Sequence, residues 1–233
     1  MSENKGFDFQ RFINDSREVL VNPKDYFSRM ETTGGLGEPI IKALIYGAIA
    51  GFFTMIWSFL NIGSVAGGIL AGGVGIAAFF FSIVGAVIGA FIGGLIVLIL
   101  SAISSGDTEY EANMRVAVSL MVIMPIGAFL NIIGGLHYWL NTIISLGLNL
   151  YALYMLYFGL IHALKGKQET AKILGFVLGG ILLFFTLVFA VTRQATRTIM
   201  RHGGSRIERQ MERYQEEAEK AIKEAAKAFE ENQ

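Results

Sequence analysis

Between Ala43 and Gly106 the chain contains no Asp, Glu, Lys, Arg or His. One spanning helix takes about 20 apolar residues, so a run roughly three times that length has to cross a bilayer at least twice. Its centre, GSVAGGILAGGVGIAAFFFSIVGAVIGAFIGGLIVLIL, is dense in glycine and shows no strand-like alternation. Glycine at that density disfavours a helix in water. In hydrocarbon the backbone has no water to bond, and a helix is the form in which one segment satisfies its own donors and acceptors. Gly85, Gly89 and Gly93 recur every fourth residue beside a second row, Ser82, Ala86, Ala90 and Gly94. The two rows read as one flat, small-residue face on which another helix can lie closely. A ligand groove or a pore lining is the alternative use of that face.

The apolar residues, 53% of the chain, come in continuous blocks, which argues against an outer-membrane barrel. Formal net charge is zero, and the charges sit at the two ends and in short loops. An extended basic surface is absent, so nucleic acid is not an expected partner. Without cysteine, disulfides, thiolate metal sites and a cysteine nucleophile are excluded. The opening MSENKGFDFQRF is polar and has no apolar core segment, so the first span is expected to direct insertion itself.

Three parts follow: an amphipathic arm over 1–38, a membrane domain over 39–192, and a basic tail with a charged helix over 193–233. In the arm, Phe7, Phe9, Phe12, Ile13, Val19 and Leu20 alternate with charged residues as in a helix lying at the membrane surface. The arm is expected to bind the membrane surface or the bundle, with Phe9, Phe12, Ile13 and Phe27 burying in the interface region while Arg11 and Arg17 meet lipid phosphates. A second short helix opens at Asn22 as N-cap, with Pro23 at its first position. Spans are expected at about Pro39–Leu60, Ile76–Ile103 (after a glycine-rich lead-in from Gly67), Val116–Ile133, Leu140–Leu164 and Ile173–Thr192. Trp57 is read as an interfacial anchor, and Pro125 as a kink in the third span. In the tail, Ser205 and Glu208 form a capping box. Beyond it Ile207, Met211, Tyr214, Ala218, Ala221, Ala225 and Ala228 trace a seam of small residues.

Intramembrane charges mark ion paths, relays and catalysis. The expected spans hold none beyond Lys42, which lies one turn into the first and can snorkel. His137 and His162 fall at expected membrane edges, and no HExxH, carboxylate–histidine cluster or phosphate loop is present. No catalytic, cofactor or metal residue is therefore assigned. One polar stripe remains: Asn149, Tyr151, Tyr154 and Tyr157 on the fourth span, with Asn131 and Asn141. Interhelical hydrogen bonds are its simplest use; lining a lipid or solute path is the alternative.

The order of motifs carries a resemblance. An Asn-Pro with paired aromatics (Asn22, Pro23, Tyr26, Phe27) precedes five spans, and a polar loop leads into a third span containing Pro125. The junction of spans four and five reads GLIHALKGKQETAKILGF and includes His162 and Lys172. Over about Val21–Thr192 this resembles the Yip domain family, named for yeast membrane proteins that interact with Ypt/Rab GTPases. Met121 stands where family members often carry tyrosine. The resemblance implies a cytoplasmic N-terminus, five spans and no known enzymatic chemistry. Trafficking members act as adaptors, and the short arm here is more like the prokaryotic members, in a plasma or inner membrane.

The reading is thus an all-α, polytopic helical bundle, a scaffold or adaptor whose partners are membrane lipids and other proteins or a second copy. A passive lipid or small-solute conduit is the alternative. Lys5, Arg11, Arg17, Lys24, Arg29 and Lys42 place the N-terminus in the cytoplasm by the positive-inside rule. Five spans then put the C-terminal helix on the opposite side. A sixth span, made by a turn near Phe80–Ser82, is the competing topology.

Overall fold

The computed structural model describes residues 7–60, 69–136, 138–189, 192 and 214. The basic tail and the expected seam, apart from Tyr214, lie outside the described residues, as do His137 and the start of the lead-in at Gly67. Residues up to Phe184 form one compact unit. From Phe185 onward a second unit begins, of which 185–189, 192 and 214 are described.

Two short helices make the arm: α1, Phe9–Val21, and α2, Pro23–Arg29. Asp8 caps α1 by accepting from the Arg11 N–H at 2.9 Å. Asn22 closes α1 and opens α2, where Pro23 occupies the first turn and needs no hydrogen-bond partner. The membrane domain follows as α3, Gly37–Phe59, and α4, Ile69–Ile103. Next come α5, Tyr110–Leu120, α6, Ile123–Leu130, and α7, Ile132–Leu136. Then α8, Tyr138–Phe158, ends in a π turn at Gly159–Ala163, and α9 runs over Gln168–Phe189. Among the described residues five helical stretches are long and apolar enough to span a membrane, with α5 and α6 together forming the third.

At 35 residues α4 extends about 50 Å, well beyond a hydrocarbon core of about 30 Å. It is unbroken through Phe80–Ser82, where the six-span topology requires a turn. It begins at Ile69, inside the stretch expected as a lead-in, because in lipid even glycine-rich backbone gains from helical hydrogen bonds.

The third span breaks where proline chemistry says it must. Pro125 has no N–H, and its ring pushes against the carbonyl four residues earlier, that of Met121. The helix interrupts at Met121–Val122, and the Met121 carbonyl instead accepts from the Met124 N–H at 2.9 Å. The span also starts at Tyr110 rather than Val116, so Glu111 and Arg115 lie within it. Glu38 likewise sits in the first turn of α3. The expectation that Lys42 is the one charged residue in the spans is corrected accordingly.

The expected packing face divides along its two rows. Ser82, Ala86, Ala90 and Gly94 turn inward, with Ala86 and Ala90 buried. Ser82 donates to the Gly47 carbonyl at 3.0 Å, and a Cβ on Gly94 would lie 3.0 Å from the Met114 Cα. Gly85 and Gly89 look into open space, with no described atom within 4 Å of a Cβ built there; one on Gly93 would make ordinary contact with Ala117 at 3.4 Å. At 3.6 residues per turn the rows lie roughly 60–100° apart, so one partner helix covers only one of them. The glycines that permit the close approach belong to α3. A Cβ on Gly47 would fall 2.6 Å from the Ala86 Cβ, and one on Gly51 2.9 Å from the Phe79 carbonyl oxygen. Their spacing, Ala43–Gly47–Gly51, is the same every-fourth signal and was available in the sequence.

Candidate functional site

The five-span order brings the arm, the α4–α5 loop and the α8–α9 loop to one side of the bundle. The two loops bond to each other through their backbones: Asp107 N–H donates to the Leu164 carbonyl at 2.6 Å, and Lys167 N–H to that of Ser104 at 2.7 Å. Gly106 and Gly166 make the crossing possible, because a Cβ on either would meet a serine Oγ at 2.6 Å. Ser101 and Ser104 are fully buried there and donate to the carbonyls of Asp107 and Ser101.

The arm closes over this crossing. Phe12, Val19, Tyr26 and Phe27 are buried in the bundle, whereas Phe9, Ile13 and Val21 point outward. Of the two places expected for the arm the bundle is the one observed, and the expected burial of Phe12 and Phe27 in the interface region is corrected, because the bundle core packs around both rings. Phe27 lies against Gly159, where a Cβ would meet its ring at 3.5 Å. The Tyr26 hydroxyl shares a hydrogen bond with the Ser119 hydroxyl at 2.9 Å, and Ser119 in turn donates to the Arg115 carbonyl. Tyr151 donates from α8 to the Leu20 carbonyl of the arm. Tyr46 and Ser16 share a bond at 2.8 Å.

Beneath the arm is a cavity of about 250 Å³ with Arg115 and Lys42 in its wall. Arg115 is only 7% exposed. It donates to Glu38 at 2.9 Å, to Glu111 at 3.1 Å and to the Gly35 carbonyl at 2.9 Å. The turn that delivers this carbonyl uses Gly34 and Gly35 at φ of 123° and 88°, values other residues rarely adopt. Gly35 also donates its own N–H to Glu111 at 2.6 Å. Lys42 bridges Asp15 and Glu38 at 2.9 and 2.8 Å. Further out, Arg11 pairs with Glu31 at 3.2 Å and Arg29 with Glu18. Arg11 therefore meets a carboxylate of the arm itself, in place of the expected lipid phosphate. Partial burial works against its charge, but Glu31, Glu38 and Asp15 outweigh that and hold the guanidinium above the ordinary arginine value. Burial, opposed by Lys42 and the Ser119 bond, holds the Tyr26 phenol above its ordinary value.

Four basic side chains thus line the cavity against four acidic ones, so it carries no excess charge for a phosphate. The arrangement suits a latch that holds the arm. Among the described residues no group of three His, Asp or Glu is placed to hold a metal.

Of the family-like residues, Tyr26 meets α5 through Ser119 and Phe27 packs on Gly159 of the π turn, Pro23 is buried, and the exposed Asn22 donates to Asp25 within the arm. Pro125 instead sits at the helix break, His162 stacks on Phe158 at 5.8 Å, and Lys172 is exposed on α9. The polar stripe does not converge. Tyr151 reaches the arm, Tyr154 is half exposed, and Tyr157 packs on Phe158. Steps of three residues drift about 60° each around a helix, which carries the three rings apart. Asn149 lines a different cavity, together with Asn131. The cluster around Arg115 is what sequence reasoning missed. The one available signal was Arg115 four residues after Glu111, an ion-pair spacing on a helix begun at Tyr110.

The fold defines a multi-pass, all-helical integral membrane protein whose arm and loops form a packed polar head on one side. The Yip1 domain family model matches residues 17–190, and the chain belongs to that family. No curated protein and no solved structure matches the chain.

Proposed function

We propose that the protein is a non-enzymatic membrane scaffold or adaptor that presents its polar head to a protein partner at the cytoplasmic surface. One observation carries the reading: the ionic latch is spent on holding the arm, which leaves an outward row of Phe9, Ile13, Arg17 and Val21 on α1. Such a row of apolar side chains with a basic one among them suits a partner helix or the membrane surface beside it. Family membership supports a role related to membrane trafficking. The Lys and Arg of the arm favour a cytoplasmic head and a C-terminal helix on the opposite side.

Affinity purification in mild detergent is expected to return a stoichiometric protein partner with the natural chain. The double variant Phe9→Asp/Ile13→Asp, with unchanged folded yield, should lose it; recovery of the chain alone in both would overturn the reading. Single cysteines at Ser2 and Asn232, probed with an impermeant maleimide on intact cells, should react only at position 232. A second reading, a lipid or small-solute conduit, is favoured by the cavity beside Asn149.

A further inference from the structure

The break imposed by Pro125 leaves a gap that no described side chain fills. Between α3, α4, α6 and α8 lies an open cavity of about 560 Å³, within the roughly 300–1,000 Å³ of ligand pockets. Its depth follows from helix positions. Asn131 marks the end of the third span away from the arm, and the cavity reaches from there to Leu120, on the arm side of the break. At 1.5 Å per residue that is about 16 Å, half of a hydrocarbon core of about 30 Å. On α8 the lining runs from Ser145 to Ala152, which at 1.5 Å per residue lie about 10 and 21 Å from the start of that helix at Tyr138. The cavity therefore lies mainly in the leaflet opposite the arm.

Its lining is mostly apolar. Leu120, Met121, Ile123, Met124 and Leu148 form apolar walls, with methionines able to adapt to an irregular chain. The deeper hydroxyls face away from any guest: Thr54 donates to the Ala50 carbonyl and Ser82 to that of Gly47. Asn149 spends one N–H on Ser145. Asn131 stands at the outer edge, close to Trp57 and Phe129, whose rings are 6.2 Å apart. Aromatic residues with a hydrogen-bonding amide are what a lipid's ester region meets at a membrane edge. A spanning helix of a second copy would be twice as long as the gap.

We propose that one acyl chain of a bilayer phospholipid, from the leaflet opposite the arm, occupies this cavity with its ester end toward Asn131. The site narrows the conduit reading to one ligand class and stands whether or not lipid is moved.

The test uses the full chain in nanodiscs of phosphatidylcholine carrying a mid-chain diazirine. Photolysis of the natural chain should give adducts on Met121, Met124 or Leu148, besides those on the lipid-facing Ile88 and Ile92. Gly127→Phe directs a ring toward Leu148, whose Cδ1 is 3.8 Å from a Cβ at that position. It should abolish the cavity adducts and leave those on Ile88 and Ile92 intact. Ala152→Leu, filling from α8, should reduce them. Absence of cavity adducts in the natural chain, or adducts indifferent to both variants, would overturn the proposal. So would protein–protein cross-links at these positions in place of lipid. Should both variants unfold, the adduct map of the natural chain decides. Loss of a protein partner in the preceding experiment leaves this result untouched.

Discussion

The third span is two different structures joined at Met121–Val122. On the arm side, eight of the eleven residues of α5 are buried, among them Asn113, Arg115 and Ser119. Beyond the break, only Ala128 of the eight residues of α6 is buried. Both halves are apolar enough to sit in a membrane. What differs is how many backbone elements converge on them: α5 meets the arm, α3, α4 and α8, whereas α6 borders a cavity. Where elements converge, polar groups find fixed partners. A buried ion pair gains little net stability against its desolvation, yet removing one partner is costly. The Arg115 network therefore acts mainly by penalising every other placement of the arm.

That contrast can be broken most severely at Arg115. Arg115→Ala leaves Glu111 without a cation and Glu38 with Lys42 alone, and should cost about 1.5–3 kcal/mol. The thermal midpoint in detergent should fall, and amide exchange across Phe9–Arg29 should accelerate; unchanged protection of the arm would refute the latch. Next is the α3–α4 seam. Gly47→Leu forces a side chain into Ala86 and should cost about 1–3 kcal/mol, while Gly89→Leu, pointing into open space, should leave folded yield unchanged. Equal losses in both would restore the two-row face. Gly166→Val should resemble Gly47→Leu, because it drives apart the two loops that cross at Ser104; limited proteolysis of the loops reads this directly.

On the looser side the effects shrink. Trp57 Nε1 donates to the Ala128 carbonyl at 2.9 Å, tying α3 to α6. Trp57→Phe should cost about 0.5–1.5 kcal/mol for the lost bond, with arm exchange rates unaltered. The smallest effect is a pH dependence. Tyr26 has its folded pKa raised by burial, so its contribution is intact below the ordinary tyrosine value of about 10. It is lost as pH rises from there through the folded value, because the unfolded chain ionises first. Tyr26→Phe should remove that part of the alkaline decline, measured as thermal midpoint against pH.

The legible parts of the molecule were those where one residue's chemistry leaves a single outcome. Pro125 forecast a break and Asn22-Pro23 a helix start, and both stand where the sequence placed them. The Arg115 cluster was not legible, because its partners come from Gly35, Glu38 and Glu111, up to 80 positions away. Arg115 falls in the polar loop that the sequence places before a third span starting at Val116, where nothing links it to Gly35 or Glu38. The tyrosine stripe divides for a related reason: a spacing of three looks regular in sequence but winds around the helix, so Tyr151 makes an interhelical bond to Leu20 while Tyr154 turns outward.

The sequence by itself determined that this chain is a membrane protein of long helices, because hydrocarbon cannot satisfy an open backbone. It also determined the family. Only the tertiary structure decided which of two equivalent small-residue rows meets a neighbour, where the arm's aromatics bury and which charges pair. Those outcomes depend on the direction each helix presents to the next, and a repeat of every fourth residue describes several directions equally well.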